Sequence, residues 1–389
     1  MGYGYLFIRF YILYLKSKIA NQKSEMLVKG KNPSLDGIKR ILLIQLGDIG
    51  DVVLTTPTIR ALKENHPSGE IFVLLRRFAR ELLEGCPWVD GVISLNKQKR
   101  KFREEIAYQK DFLSRLRRKR FELAIDLRAG TRGAIVSFVS GARLRVGRYR
   151  GDGKLWRNRL FTHLIRPENE LRQYSALHSL NILAPFELKI KDTSPELIVT
   201  EEKERTAANI LRKEKVPVDR PIIAIHPFSR WRYKEWPIRN YIKLINHMGS
   251  RYKVSVVITG SIGERDRISE IAKRSKIDVH NLTGKTSLGE LAAILKKCSL
   301  LIGIDSAPVH IAAAVGTPTV TIFGPSSPIN WAPQGKHHCV IYKDLPCVPC
   351  RQKGCNNSEV SRCLDELSVE EVIPVVDTKV LQIETTINQ

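Results

Sequence analysis

The sequence is short of acidic side chains: 40 Asp and Glu stand against 64 Lys and Arg, a formal charge of +24. That balance argues against a cationic partner and points to nucleic acid, an anionic membrane face or a phosphorylated substrate, without choosing among them. A long apolar run is also missing. Tyr3 to Leu15 (YGYLFIRFYILYL) is too short to span a bilayer, carries Arg9 and has no small-residue cleavage site. Lys16, Lys18 and Lys23 follow it. Residues 1–37 therefore read either as a segment lying in a membrane interface or as an extension ahead of the first domain. No short internal repeat is visible. Nor do the seven cysteines staple the whole chain: after Cys86, Cys298 and Cys339 they crowd into Cys347, Cys350, Cys355 and Cys363, which favours a reducing compartment with one local cysteine site. With 43% hydrophobic and 27% charged residues over 389 positions, the chain has material for two domains with real cores, and disorder is a poor reading.

From Ile38 the pattern is strand, glycine-containing turn, helix. Short apolar runs at 38–45, 70–75, 89–95 and 122–127 alternate with helical or basic stretches, and a second set occupies 221–226, 253–260, 278–282, 300–305 and 319–323. Strands alternating with helices imply parallel pairing with both sheet faces covered. The expected class is α/β, with an N-terminal domain at 38–195, a charged helical linker at 196–219 and a C-terminal domain at 220–389. Two doubly wound halves leave a cleft between the carboxyl ends of their strands.

The most specific stretch is IGIDSAPVHIAAAVGTPTVTIFGPSSPINW, from Ile302 to Trp331. After a buried strand, Asp305, Ser306 and Ala307 fall where a helix must start, with Pro308 in its first turn, so backbone N–H groups there point at a bound anion. His310 sits one turn in. A plain N-cap is the competing reading of Asp305. In the first half, Gly47 and Gly50 of LGDIGD permit tight turns, and Asp48 and Asp51 sit at a strand's carboxyl end.

The DSAPVH stretch, HPFSRWRYKEW at His226 to Trp236 and GDIGDVVLTTP at Gly47 to Pro57 together resemble glycosyltransferase family nine, the lipopolysaccharide heptosyltransferases. The resemblance covers Ile38 to the end of the chain, with the motifs in the family's order; SRW ahead of a lysine together with DSAPVH resembles the third-heptosyltransferase, or Q-type, branch. It implies a GT-B fold, two Rossmann-like doubly wound domains facing a cleft, and transfer of heptose from ADP-heptose to the lipopolysaccharide inner core with inversion, at the cytoplasmic face of the inner membrane. An inverting transfer needs a general base on the acceptor hydroxyl, and the family's base matches Asp51. Asp48 is a turn former or an acceptor-side neighbour. The family's phosphate-binding lysine matches Lys234, which would stabilise charge developing on the leaving diphosphate, and its hydroxyl donor matches Ser229. One extra residue between His226 and Lys234, relative to some members, loosens the Ser229 match. Asp305, Ser306, Ala307 and His310 complete the donor side. The family glutamate beside the nucleoside matches Glu264; a helix first-turn acid is the equal alternative.

Basic runs at 97–103, 115–120 and 143–159 all lie in the N-terminal half, where this fold binds its acceptor, and Arg128, Arg132 and Arg148 are best placed near strand ends to meet acceptor carboxylates and phosphates. No metal is expected in the chemistry. Cys347, Cys350, Cys355 and Cys363, spaced C-x2-C-x4-C-x7-C, suit a structural zinc or an iron–sulfur cluster. A nucleic-acid-binding protein is the first competitor, but no reader motif is present and Asp51, Lys234 and Asp305 would go unexplained. A nicotinamide oxidoreductase is the second, but LGDIGD lacks the third glycine of the dinucleotide fingerprint and puts carboxylates where pyrophosphate would sit. A family member with another nucleotide sugar is the third.

Overall fold

The computed structural model describes residues 26–96, 101–151 and 155–387. The Tyr3–Leu15 segment and the start of the basic run at 97–103 lie outside them. The first sheet contains β1 (Leu27–Lys29), β2 (Arg40–Gln45), β3 (Glu70–Arg76), β4 (Gly91–Leu95), β5 (Leu123–Asp126), β6 (Leu144–Arg148) and β7 (His163–Ile165) in the order β1-β7-β6-β5-β2-β3-β4. Every pairing is parallel except β1 with β7. The second sheet contains β8 (Ile222–His226), β9 (Ser255–Ile258), β10 (Val279–Asn281), β11 (Leu300–Ile304), β12 (Thr319–Phe323) and β13 (His338–Tyr342), all parallel, in the order β10-β9-β8-β11-β12-β13. Central strands such as β8, β11 and β12 are buried at every position, as expected where helices cover both faces.

In the first lobe the helices include α1 (Ile49–Val53), α2 (Thr56–Asn65), α3 (Phe102–Arg118), α4 (Thr131–Val139), α5 (Leu155–Arg159) and α6 (Ser175–Leu180). Then come α7 (Glu201–Lys213), α8 (Ile238–Arg251), α9 (Arg265–Arg274), α10 (Leu288–Lys297), α11 (Ala307–Ala314), α12 (Pro328–Trp331), α13 (Arg362–Asp365) and α14 (Val369–Ile387). The charged stretch expected to link the lobes forms α7. Thr200 caps it, Glu201, Glu202 and Glu204 occupy its first turn, Arg212 and Lys213 its last, and all complement the helix dipole. Its buried face, Ala207 and Leu211, joins an apolar cluster that runs from Ile41, Leu43 and Val73 under the first sheet to Leu291 and Val309 in the second lobe. The lobes are therefore fixed by shared apolar burial as well as by the connecting chain.

Each sheet reverses its strand order once: between β2 and β5 in the first, and between β8 and β11 in the second. Loops leaving the carboxyl ends of such neighbours diverge and leave a crevice, the usual place for a ligand in an open parallel sheet. The chain departs from the sequence expectation at β1, which lies within residues 1–37 yet pairs with β7, Leu27 opposite Ile165. Three residues are too few to show a period. β6 and β7 were also hidden, since LRVGR and HLI sit in a stretch dominated by arginine.

Candidate active site

At the first crevice, the loop after β2 is folded by short local bonds. Gln45 accepts the Gly47 N–H at 3.1 Å and donates to Thr55 at 2.7 Å, and the Asp48 N–H donates to Asp51 Oδ2 at 2.9 Å. Gly47 is obligatory here, because a Cβ would lie 2.3 Å from that same Asp51 oxygen. Asp48 is the N-cap of α1 and its carboxylate pairs with Arg76 at 3.1 Å. Asp51 Oδ1 accepts from Arg128, on the neighbouring loop after β5, at 2.6 Å. The two loops that flank the reversal of strand order thus meet at Asp51.

Arg128 also lines a cavity of about 430 Å³ with Arg76, Arg132 and Arg150. Its floor is Asp126, wholly buried, whose Oδ1 accepts the Arg128 N–H at 3.2 Å. Asp126 Oδ2 accepts from Arg157, also wholly buried, at 3.2 Å. Arg157 further donates to the carbonyls of Arg128 (3.0 Å), Gly130 (3.2 Å) and Arg148 (2.6 Å). Burial pushes the Asp126 carboxyl up to about 7, against the opposing charge of Arg157. Gly133 lets the first turn of α4 lie on this carboxylate, since a Cβ would stand 2.3 Å from it. Asp126, Arg157, Arg76 and Arg150 were not singled out from sequence. The signal available was an aspartate ending the apolar strand LAID, but its partner is 31 residues away.

Arg148, read from the sequence as an acceptor ligand, is engaged within the fold. Its guanidinium is nearly buried and donates to Glu170 and to the carbonyls of Leu127 and His178, so it ties β5 and β6 to the segment around α6. Arg132 is exposed at the cavity's edge.

Across the cleft, Lys234 lies in the turn after β8 and donates to Asp305 Oδ2 at 2.6 Å. Asp305, 7% exposed, opens the loop after β11, so the second reversal of strand order also joins two loops through an ion pair. The N-cap of α11 is Ser306, whose hydroxyl donates to the Ile304 carbonyl at 3.1 Å. Asp305 is therefore not the cap, and Ala307 is the first helical residue. Ser229 shapes its loop by accepting the Trp231 N–H at 3.2 Å. Glu264 accepts the Ser261 N–H at 2.6 Å, the arrangement of a helix-start acid. Beside it Thr283 is buried with its hydroxyl unpartnered among the described residues.

His310 is where the halves meet. A Cβ on Gly50 would stand 3.0 Å from its ring, and Trp331 packs edge-on at 6.3 Å. Burial pulls its pKa down, with Asp305 and Asp51 opposing. Its Nδ1 has no hydrogen-bond partner among the described residues. A second bridge, Arg230 to Asp48 at 4.0 Å, crosses the cleft.

The sequence profile of glycosyltransferase family 9 (heptosyltransferase) matches residues 110–361. The chain belongs to glycosyltransferase family 9. This family 9 enzyme is 29% identical to a lipopolysaccharide heptosyltransferase 3 of Escherichia coli over 348 residues, 87% of this chain and 98% of that protein. A lipooligosaccharide heptosyltransferase 2 of Haemophilus ducreyi is 27% identical, with 78% and 88% covered. A family 9 glycosyltransferase structure from Veillonella parvula superposes with a TM-score of 0.76 at 23% identity, covering 88% and 97%. The E. coli ADP-heptose lipopolysaccharide heptosyltransferase II structure gives 0.71 at 23%, covering 89% and 99%. The fold is GT-B.

Among the described residues no group of three or more His, Cys, Asp or Glu stands so as to hold a metal ion. Cys363 is drawn into the second core with Leu364 and Leu367, while Cys347 and Cys355 lie exposed. Burial raises the Cys363 thiol to about 11, and the other three thiols are close enough to raise it further.

Proposed function

We propose that this family 9 enzyme transfers heptose from ADP-heptose to the lipopolysaccharide inner core with inversion at the anomeric carbon. The observation that carries the reading is the facing of the two crevices, which sets Asp51 and His310 on opposite walls of one cleft.

Asp51 takes the proton from the acceptor hydroxyl as its oxygen attacks the anomeric carbon from the face opposite the diphosphate. The sugar–phosphate bond breaks with its electron pair passing to the diphosphate. Lys234 and the N–H groups at the start of α11, around Ser306 and Ala307, stabilise that charge. Asp305 orients Lys234. Glu264 and Thr283 sit where ribose hydroxyls and the base would lie, and Ser229 and His310 border the sugar and diphosphate. Arg128 and Arg132, with Arg76 beside Asp48, receive anionic groups of the acceptor in the 430 Å³ cavity. The charge stabilisation comes from the chain itself, so turnover survives chelating agents; loss of turnover on chelation, restored by magnesium with the fold intact, would contradict this.

No helix among the described residues is long and apolar enough to cross a membrane, and the proposed place of action is the cytoplasmic face of the inner membrane. A panel of nucleotide sugars, followed for release of ADP, UDP or GDP that depends on an inner-core acceptor, tests the reading. Acceptor-dependent release from a UDP- or GDP-sugar alone would overturn it.

A further inference from the structure

On α4, Arg132, Ile135 and Phe138 are exposed at intervals of three, while Gly133, Ala134, Val136 and Ser137 face inward. Residues so spaced form one stripe on a helix. Ile135 is 44% and Phe138 51% exposed. Beside it lies α5, held against α4 by the packing of Ala134 on Phe161 and by the bond from Arg157 to the Gly130 carbonyl. There Trp156 is 49% exposed and Arg159, one turn on, is exposed too. The apolar stripe is edged with arginine: Arg145 lies 5.5 Å from the Phe138 ring centre, and Arg117 of α3 reaches the Val139 carbonyl at 3.0 Å. From Leu127 to Ile165 the sequence has a single acid, Asp152. The stripe opens at its Arg132 end into the arginine-lined cavity described above.

We infer that this face, Ile135, Phe138 and Trp156 within their ring of arginines, docks the enzyme on an anionic lipid surface. Aliphatic and aromatic side chains flanked by basic ones suit the boundary between headgroups and acyl chains, where apolar tips insert and guanidinium groups meet phosphate. A second copy of the chain would bring arginine against arginine. Nucleic acid would pair with the arginines but leave Ile135 and Phe138 without apolar contact. The arrangement places the mouth of the cavity at the lipid surface, so that an acceptor still anchored there reaches Asp51. The docking itself needs neither donor nor acceptor and goes beyond the reaction proposed above.

The test is cosedimentation of the full chain with phosphatidylcholine vesicles, with and without phosphatidylglycerol. Binding is expected with the anionic vesicles, and Ile135→Ser/Phe138→Ser should lower the partition coefficient on the order of tenfold. Trp156→Ser, on a separate helix, should weaken it as well, which keeps the test valid if the double variant is unstable. Phe138→Trp should retain binding. Unchanged partition in both serine variants overturns the inference, as does binding that vanishes only on removal of residues 1–25. Light scattering that shows a dimer dispersed by Ile135→Ser/Phe138→Ser also overturns it, assigning the face to a second copy. Equal binding with and without phosphatidylglycerol removes the role given to the arginines. Failure of heptosyl transfer would leave every one of these results readable.

Discussion

Before any substrate arrives, Asp51 is held at both carboxylate oxygens, by the Asp48 N–H on one and Arg128 on the other. On the proposed mechanism an acceptor hydroxyl would reach Asp51 by sharing or displacing Arg128, whose other neighbours are the arginines of the cavity. Asp51→Asn keeps the shape and the Asp48 contact but cannot take a proton, so turnover should fall on the order of a hundredfold or more with donor affinity nearly intact. Turnover near that of the native enzyme would remove Asp51 from the role. Lys234→Ala should weaken ADP binding by about tenfold to a hundredfold in calorimetry and also slow transfer, because the same charge acts on bound and departing diphosphate. The variant leaves the nearly buried Asp305 without its cation, so thermal stability should be read alongside; unchanged ADP affinity excludes Lys234 from the site. These residues were legible in the sequence because glycine turns and helix starts are local chemistry. The partners of Arg148 were not legible for the opposite reason: a guanidinium at a strand end looks the same in sequence whether or not it meets three acceptors of its own fold.

At the scale of elements, apolar runs such as RILLIQ and LLIGI revealed β2 and β11 to within a residue or two, since a strand buried on both faces has a near-continuous apolar signature. β6 escaped because three of its five side-chain positions, Leu144, Val146 and the near-buried Arg148, serve packing that alternation with arginine disguises. The element that the sequence concealed most fully is the join of β5, β6, α4 and α5 through the buried Asp126–Arg157 pair. Removing one member strands a charge. Arg157→Gln should cost on the order of 3–5 kcal/mol, and the double change with Asp126→Asn appreciably less than the sum of the single ones. Chemical denaturation of the four proteins measures the coupling; additive losses would mean that the pair does not act as a unit. Because Arg157 holds the Arg128 and Gly130 carbonyls, the surviving variants should also show a raised KM for the acceptor, with KM for the donor little changed.

For the molecule as a whole, burial sets opposing responses to acid. It pulls His226, His310 and His338 below their usual value, His338 to about 4, and pushes the Asp126 carboxyl up to about 7. A histidine whose folded pKa is depressed binds fewer protons in the native state, so the unfolded chain is favoured as pH falls from about 6.5 toward 4. Asp126 has the opposite sign: between about 4 and 7 the native state keeps a proton that the unfolded chain has released, so acidification through that window favours folding. His163 and His178 in the first lobe are also lowered by burial, so several histidines oppose one carboxyl; the three named lie in the second lobe, at the ends of β8 and β13 and on α11. The melting temperature should therefore fall as pH is lowered from 7.5 to 5, with His226 and His338, the most depressed, each contributing up to about 2 kcal/mol at the lower end. Replacing His226 by Gln, which can still bond to Thr259, should flatten the profile, whereas Asp126→Asn should steepen the loss on the acid side. Calorimetry across that range decides the matter: a melting temperature that stays level or rises on acidification would show that the buried histidines do not set the acid stability of the fold.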